Sequence, residues 1–358
     1  MRRRSIPIRL GNKVIGGNAP VLVQSMTNTR TDDVATTINQ IHELEKVGCE
    51  AVRVAVPNLE AAHALPSIKS AIGIPLIADV HFRVELALAA IEAGVDGLRI
   101  NPGNIGSIER VRTIVEAAKK TNTVIRIGVN AGSLEKDLLE KYGQPCAEAM
   151  VESAIRYVRL FERWNFKNLK ISLKASDVHT TVTSYRLLAE KVPYPLHLGI
   201  TEAGTLLYGA VKSAIGLGIL LAEGIGDTIR VSLAGDPVPE VRVAYMILRA
   251  LNLRHRGIEI IACPTCGRCH MDVAQIAAKL EEQLAEVSCP LTVAVMGCEV
   301  NGPGEARQAD IGVAGGKEIA VIFQKGKIVG RVRKDQVITA MTEKVKQLCK
   351  EESRFESK

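Results

Sequence analysis

Short apolar runs rich in β-branched residues recur along the first two thirds of the chain. Each is followed by an amphipathic stretch of helical period. The runs occupy 21–26, 51–57, 76–80, 97–102, 124–130, 169–175, 196–202 and 228–233. Their near-continuous apolar character is that of parallel strands buried on both faces. Between them, stretches such as 33–47 and 108–120 repeat apolar residues three and four apart, as one-sided helices do. Eight strand–helix units of this length predict an α/β fold, a (β/α)8 TIM-type barrel. A doubly wound open sheet is the rival. It more often carries a glycine fingerprint after the first strand, where this chain reads Gln24-Ser25-Met26-Thr27-Asn28-Thr29. Residues 6–16, ahead of the first run, read as a hairpin placed to plug the barrel floor.

The pattern changes after the eighth unit. Residues 239–251 read as the eighth helix, 252–257 are polar, and a new strand pattern opens at Ile258. The chain therefore divides into a barrel over 1–252 and a smaller α+β domain over 253–358. The second domain holds a strand, a cysteine pair, a helix over 273–287, a strand over 291–296, a loop around Cys298, a hairpin over 319–332 and a last helix from Asp335. At about 1.5 Å per residue, the eighth helix carries the chain roughly 20 Å back from the barrel mouth to its floor. A second domain that starts at the floor predicts a homodimer with shared active sites, in which a partner copy faces the mouth.

Composition narrows the class. Apolar residues make up 47% of the 358, enough for a large core, and no run of eighteen uncharged apolar residues predicts a membrane span. The basic start, Met1-Arg2-Arg3-Arg4, lacks the apolar stretch of a signal peptide. Eight cysteines without a small secreted framework predict a reducing compartment, the cytoplasm. The formal net charge of +7 would suit nucleic acid, but aromatic residues are only 3%, too few for stacking platforms. No nucleic-acid partner is expected.

The informative charges lie inside the strands. Arg53, Arg99, Arg126, Lys174 and Arg230 are each flanked by apolar residues. Strand residues alternate sides, and a charge pressed against the helical layer is costly, so all five are expected in the lumen. The strand carboxylates Asp79 and Glu202 offset only part of that charge, and the remainder asks for a polyanion such as a diphosphate, which guanidinium groups clamp bidentately. Singly, any one of these cations reads as a salt-bridged barrel residue. Polar residues gather at strand C-termini, where barrel active sites lie: Asp79 and His81, Asn101 and Asn104, Asn130 and Ser133, Thr201 and Glu202. Some, Asn104 and Ser133 first, read equally as helix caps. Glu202 is the expected acid–base group.

The second domain carries a different chemistry. Cys263-Pro264-Thr265-Cys266 places two thiolates two residues apart, and Cys298 supplies a third. Glu305 follows across a Gly-Pro-Gly turn. Three sulfur ligands and one weaker oxygen suit an iron–sulfur cluster with one reactive iron, whereas a structural site closes with four strong ligands. Cys269 extends the run to Cys-x-x-Cys-x-x-Cys, and His270 leaves a zinc reading open. Cys289 reads as structural.

These segments resemble bacterial 4-hydroxy-3-methylbut-2-enyl diphosphate synthases of the non-mevalonate isoprenoid pathway. The sharpest matches are Leu198-Gly199-Ile200-Thr201-Glu202-Ala203-Gly204, Cys263-Pro264-Thr265-Cys266-Gly267-Arg268 and Asn301-Gly302-Pro303-Gly304-Glu305. The resemblance runs from Val23 into the second domain and implies a 4Fe-4S cluster held by Cys263, Cys266, Cys298 and Glu305. It implies 2-C-methyl-D-erythritol 2,4-cyclodiphosphate as substrate and flavodoxin or ferredoxin as electron donor. It also implies substrate contacts from Met26, Arg53, Asp79, His81, Arg99, Asn101, Arg126, Asn130, Lys174, Arg230 and Ser232, with Glu202 and Glu305 catalytic. Two other classes compete: a phosphosugar aldolase or isomerase with a Schiff-base Lys174 and a structural zinc domain, and a basic RNA-binding protein with a zinc knuckle.

Overall fold

The computed structural model describes residues 2–201, 204–298 and 305–356. They fall into two compact units, Met1–Arg254 and His255–Lys358. The first opens with a hairpin, β1 (Ile8–Leu10) and β2 (Lys13–Ile15). Eight parallel strands follow: β3 (Leu22–Met26), β4 (Ala51–Ala55), β5 (Leu76–Asp79), β6 (Gly97–Ile100), β7 (Val124–Asn130), β8 (Leu169–Lys174), β9 (His197–Leu198) and β10 (Thr228–Ile229). Their order is β8-β7-β6-β5-β4-β3-β10-β9, and a bridge between Ile171 and Leu196 joins the two ends. The expected TIM-type barrel is the fold that forms, and the open sheet is not.

β9 and β10 pair over two residues each, much less than their apolar runs suggest. The runs mark burial, not pairing: Ile200 and Val231, beyond the paired cores, are 0% exposed. The hairpin closes the floor as expected. Ile8, Leu10 and Ile15 pack on Leu22, Ala51, Ile77 and Val124, which lie at or near the starts of their strands. Burying side chains of this size contributes roughly 1.5–3 kcal/mol each. Gly97 belongs to the same arrangement, since a Cβ there would lie 2.9 Å from Leu10 Cδ1. After the helix Val238–Ala250, Arg254 Nη1 donates to the Val21 carbonyl at 2.9 Å and Nη2 to Glu50 at 3.0 Å. Both partners lie just before strand N-termini, so the barrel unit ends at its floor.

The second unit is a five-stranded sheet in the order β11 (Glu259–Ala262), β12 (Thr292–Met296), β13 (Ile311–Gly315), β14 (Ile319–Gln324), β15 (Lys327–Arg333). β11, β12 and β13 are parallel; β14 and β15 return antiparallel. Helices Val273–Gln283 and Val337–Glu356 cover one face through Val273, Ile276, Leu280, Val337 and Met341 against Val293, Val295 and Val313. β13 is absent from the strands read in the sequence. Its Ile-Gly-Val-Ala-Gly has little β propensity, but Gly312 is required: a Cβ there would lie 2.2 Å from the Phe323 ring of β14.

Candidate functional site

Alternation along the strands builds the lumen. Register sets Arg53 beside Met26, Asp79 beside Arg99, Arg99 beside Arg126, and Arg126 beside Lys170. Arg53, Arg99, Arg126, Lys170 and Lys174 are all buried, none more than 8% exposed. Arg230 stands at the seam of β10 and β3. Asp79 is the hub: Arg99 Nη1 donates to it at 3.1 Å, with Arg53 Nε at 3.7 Å and His81 Nε2 at 3.5 Å. Burial works against its ionised form, but Arg53, the His81 hydrogen bond, Arg99 and Arg126 outweigh that and hold the carboxyl well below the usual range.

Acceptors run short around these cations. The Met26 thioether, a weak acceptor, takes hydrogen bonds from Arg53 Nε at 3.0 Å and Nη2 at 2.9 Å, and from Arg230 Nη1 at 3.4 Å. Arg126 Nε and Nη1, Arg99 Nε and His197 Nε2 are buried without a hydrogen-bond partner among the described residues. Burial, then Arg53 and Arg99, push the Arg126 guanidinium well below its ordinary value. Two glycines make room: a Cβ at Gly128 would lie 2.7 Å from Arg99 Nε, and one at Gly199 2.5 Å from Lys174 Nζ.

The remaining expected contacts differ in status. Asn101 caps the short helix Pro102–Ile105, its Oδ1 accepting from Gly103 N at 3.2 Å, while its Nδ2 donates to Ser133 Oγ at 2.9 Å. Asn130 ends β7 level with Lys174, and Ser232 is half-buried beyond β10. Glu202 lies outside the described residues. Arg230 is not an unmatched cation: Glu240, on the helix Val238–Ala250, accepts from its Nε and Nη2 at 3.3 Å each. Glu240, Lys170 and His197 were not singled out in the sequence. Alternation over Lys170, Ser172 and Lys174 was a usable signal for the second lysine; nothing local marked a helix carboxylate as a strand cation's partner.

Phe82 directly follows His81 and carries a strained turn. Its φ is +63°, and Arg83 N donates to the His81 carbonyl at 2.7 Å, closing a three-residue turn with Phe82 at its centre. The ring is 63% exposed and sits 5.8 Å from the His81 ring. A bulky residue in this region costs about 1–3 kcal/mol. Phe82→Gly is therefore expected to raise the thermal midpoint, by a net of about 1 kcal/mol after glycine's entropy. A lowered midpoint in a melting scan would show that the ring's packing outweighs the strain.

In the second unit, parallel pairing of β11 and β12 delivers Cys263 and Cys298 to one sheet edge. Cys263 N donates to Val295 O at 3.1 Å, and His270 N to Gly297 O at 2.8 Å, so the loop 263–270 folds back over the end of β12. Gly297 N donates to Cys263 Sγ at 3.1 Å. Cys269 Sγ instead donates to the Met271 carbonyl at 3.0 Å. A Cβ on Gly297 would lie 2.3 Å from that sulfur. Glu299–Gly304 lie outside the described residues, as does the Glu305 side chain; its backbone opens the turn Glu305–Gln308. Among the described residues, no three His, Cys, Asp or Glu side chains converge as a metal-binding group.

Comparison with known proteins gives this arrangement its context. Residues 5–245 match the family model described as the GcpE TIM-barrel domain, and 259–347 match the GcpE protein C-terminal domain. A 4-hydroxy-3-methylbut-2-en-1-yl diphosphate synthase (flavodoxin) of Geobacter sulfurreducens is 56% identical over 351 residues, 98% of this chain and 99% of the relative. One of Caldanaerobacter subterraneus subsp. tengcongensis is also 56% identical, over 352 residues and the same shares. Among solved structures, an N-acetylneuraminic acid synthetase from Leptospira borgpetersenii matches with TM-score 0.51 at 15% identity. It covers 71% of this chain and 91% of its own, and shares the fold alone. Matched in both units and more than half identical to these synthases from end to end, the chain is an enzyme and belongs to the GcpE family.

Proposed function

We propose that this enzyme reductively opens 2-C-methyl-D-erythritol 2,4-cyclodiphosphate and removes one oxygen as water, giving 4-hydroxy-3-methylbut-2-enyl diphosphate. Flavodoxin or ferredoxin supplies the two electrons. The observation that carries this reading is the charge of the lumen. Among the described residues, six cations (Arg53, Arg99, Arg126, Lys170, Lys174 and Arg230) meet two carboxylates, Asp79 and Glu240. The surplus suits a diphosphate. Arg53, Arg99 and Arg126 grip phosphate oxygens bidentately, Lys174 adds a point charge, and Arg230 joins from the seam. Asp79 holds Arg53, Arg99 and His81 in place for that grip. Met26, Asn101, Asn130 and Ser232 line the approach, and Glu202 is assigned the proton donor. The family membership of the chain, and not the surroundings of Lys174, sets the Schiff-base aldolase or isomerase reading aside.

The sulfur edge fits a 4Fe-4S cluster held by Cys263, Cys266, Cys298 and Glu305. Cys263 and Cys298 follow the adjacent parallel strands β11 and β12, Cys266 lies in the loop between Cys263 and His270, a backbone N–H serves the Cys263 sulfur, and Cys269 is turned to a carbonyl. When bound, such a cluster supplies the electrons and, at its carboxylate-held iron, a Lewis-acid position. The test is anaerobic iron and sulfide analysis with visible spectra, beside an activity assay on the cyclodiphosphate. Cys298→Ser is expected to lose most iron and all turnover. Cys269→Ser is expected to keep the iron and absorbance. Equal loss in both would return Cys269 to the ligand set, and zinc in place of iron would end the reading.

A homodimer with shared sites is part of the proposal. The helix Leu206–Ala222 leaves Leu207, Tyr208, Val211 and Ile215 more than half exposed, an apolar face that a second copy would cover. Ile215→Lys is expected to halve the mass seen by light scattering; an unchanged dimer would place the interface elsewhere. No described helix is long and apolar enough to cross a membrane, and the thiol-rich sequence leads us to assign the cytoplasm.

A further inference from the structure

The lumen holds more than a diphosphate grip. Beneath the mouth, Lys170 is 1% exposed, and its Nζ spans the barrel from β8 to the neutral Gln24 Oε1 on β3 at 3.3 Å. His197 on β9 is fully buried, its Nδ1 hydrogen-bonded to Thr228 Oγ1 at 2.8 Å. Gln24 Nε2 and His197 Nε2 face this tier without partners among the described residues. Below it lies the apolar plug of Ile8, Leu10 and Ile15, which brings no charge.

Among the described residues, the charged groups around the tier are mostly cations. β4 presents Arg53, β6 Arg99, β7 Arg126, β8 both Lys170 and Lys174, β9 His197 and β10 Arg230. β5 presents Asp79, with His81 beyond it, and the helix Val238–Ala250 adds Glu240, already committed to Arg230, Ser25 and Leu233 N. The helix Val178–Lys191 contributes Tyr185, whose hydroxyl donates to the His197 carbonyl and carries no charge. An arginine does not release its proton in a protein; a lysine does so readily when buried. Relief of the repulsion in the ligand-free barrel therefore falls to Lys170 and Lys174. Burial first, then Arg126, push both amines well below their ordinary value, and the same causes hold His197 neutral.

We propose that Lys170, with Lys174, is the proton-accepting part of the site: filling the lumen with a polyanion draws a proton onto this lysine pair, so that anion binding and protonation are one event. The step breaks no bond of the ligand. A proton leaves solvent and joins a lysine amine, and the new charge faces the anion's. The inference deepens the diphosphate reading above and rests on it. Lys170 then acts on affinity through charge, as a positioning residue that need not touch the substrate. Linkage fixes the sign: if one proton enters on binding, the association constant falls about tenfold for each pH unit of rise between the free and bound lysine pKa values.

The test uses the full-length protein, prepared anaerobically, and methanedisulfonate, a doubly charged diphosphate mimic that does not titrate near neutral pH. Calorimetric titrations at about pH 8 in buffers of different ionisation enthalpy count the protons exchanged. Uptake of roughly one proton per anion is expected. Lys170→Met is expected to bind the anion still, through the arginines, with uptake cut by half or more and a flatter pH dependence of affinity. Binding with no dependence on buffer overturns the proposal, as does unchanged uptake in Lys170→Met. Absence of any anion binding instead rejects the diphosphate site itself, and this inference with it. The wild-type buffer series decides the matter alone if the variant does not fold.

Discussion

Arg126→Met is expected to stabilise the ligand-free enzyme while removing nearly all of its turnover. Arg126 is 2% exposed, sits between Arg53, Arg99 and Lys170, and leaves two guanidinium nitrogens without acceptors among the described residues. A buried charge in that setting costs its desolvation and repels its neighbours. Methionine of similar length fills the space without either penalty. Replacing buried ionic groups by apolar ones has gained about 1–4 kcal/mol in other proteins, which would move a urea midpoint clearly upward. The same change removes a phosphate clamp, and losing one buried charged partner costs about 2–5 kcal/mol of binding. That is roughly thirty-fold to several-thousand-fold in kcat/KM on the cyclodiphosphate. The opposed signs are the point of the experiment. A variant both less stable and less active would mean that Arg126 serves packing, and a fully active one would take it out of the site. Wild-type protein should also gain stability with saturating anion, and the variant much less.

Glu240→Ala is expected to be the most damaging single change in the barrel away from the plug. Its carboxylate is 3% exposed and serves three residues at once. It accepts from Ser25 Oγ at 2.9 Å on β3, from Leu233 N at 3.0 Å, and from Arg230 Nε and Nη2 at 3.3 Å. Alanine leaves a largely buried guanidinium, a hydroxyl and an amide without that acceptor. Breaking one side of a buried pair costs about 3–5 kcal/mol, roughly 10 °C in midpoint for a domain of this size. Adding Arg230→Met to the variant should recover a large part of the loss, because the stranded charge is then gone. Simple additivity of the two single changes would show that the two side chains are not coupled.

Much of this was legible before the fold was known, because strand alternation and helical period are local properties. The barrel, the floor hairpin and the five strand cations could be read from short windows, since an arginine between two β-branched residues has few places to go. Glu240 could not, because its partner lies on the preceding strand and its own position reads as an ordinary first-turn glutamate. The reach of Lys170 to Gln24 is 146 positions long in the chain and exists only because the sheet closes on itself.

The second unit shows the same division. Its cysteine spacing could be read directly, but their arrival at one edge depends on β11 pairing parallel to β12, and on β13, whose glycines hid it. Gly297 and Gly312 are small because Cys269 and Phe323 occupy the space, a fact no window around either glycine contains. By itself the sequence determined which side chains are charged, which faces are apolar and where elements begin. The tertiary structure decided which charges find partners and which are left facing one another. Pairing energy depends on distance through space and on the exclusion of water, and both arise only when remote segments close over a common interior.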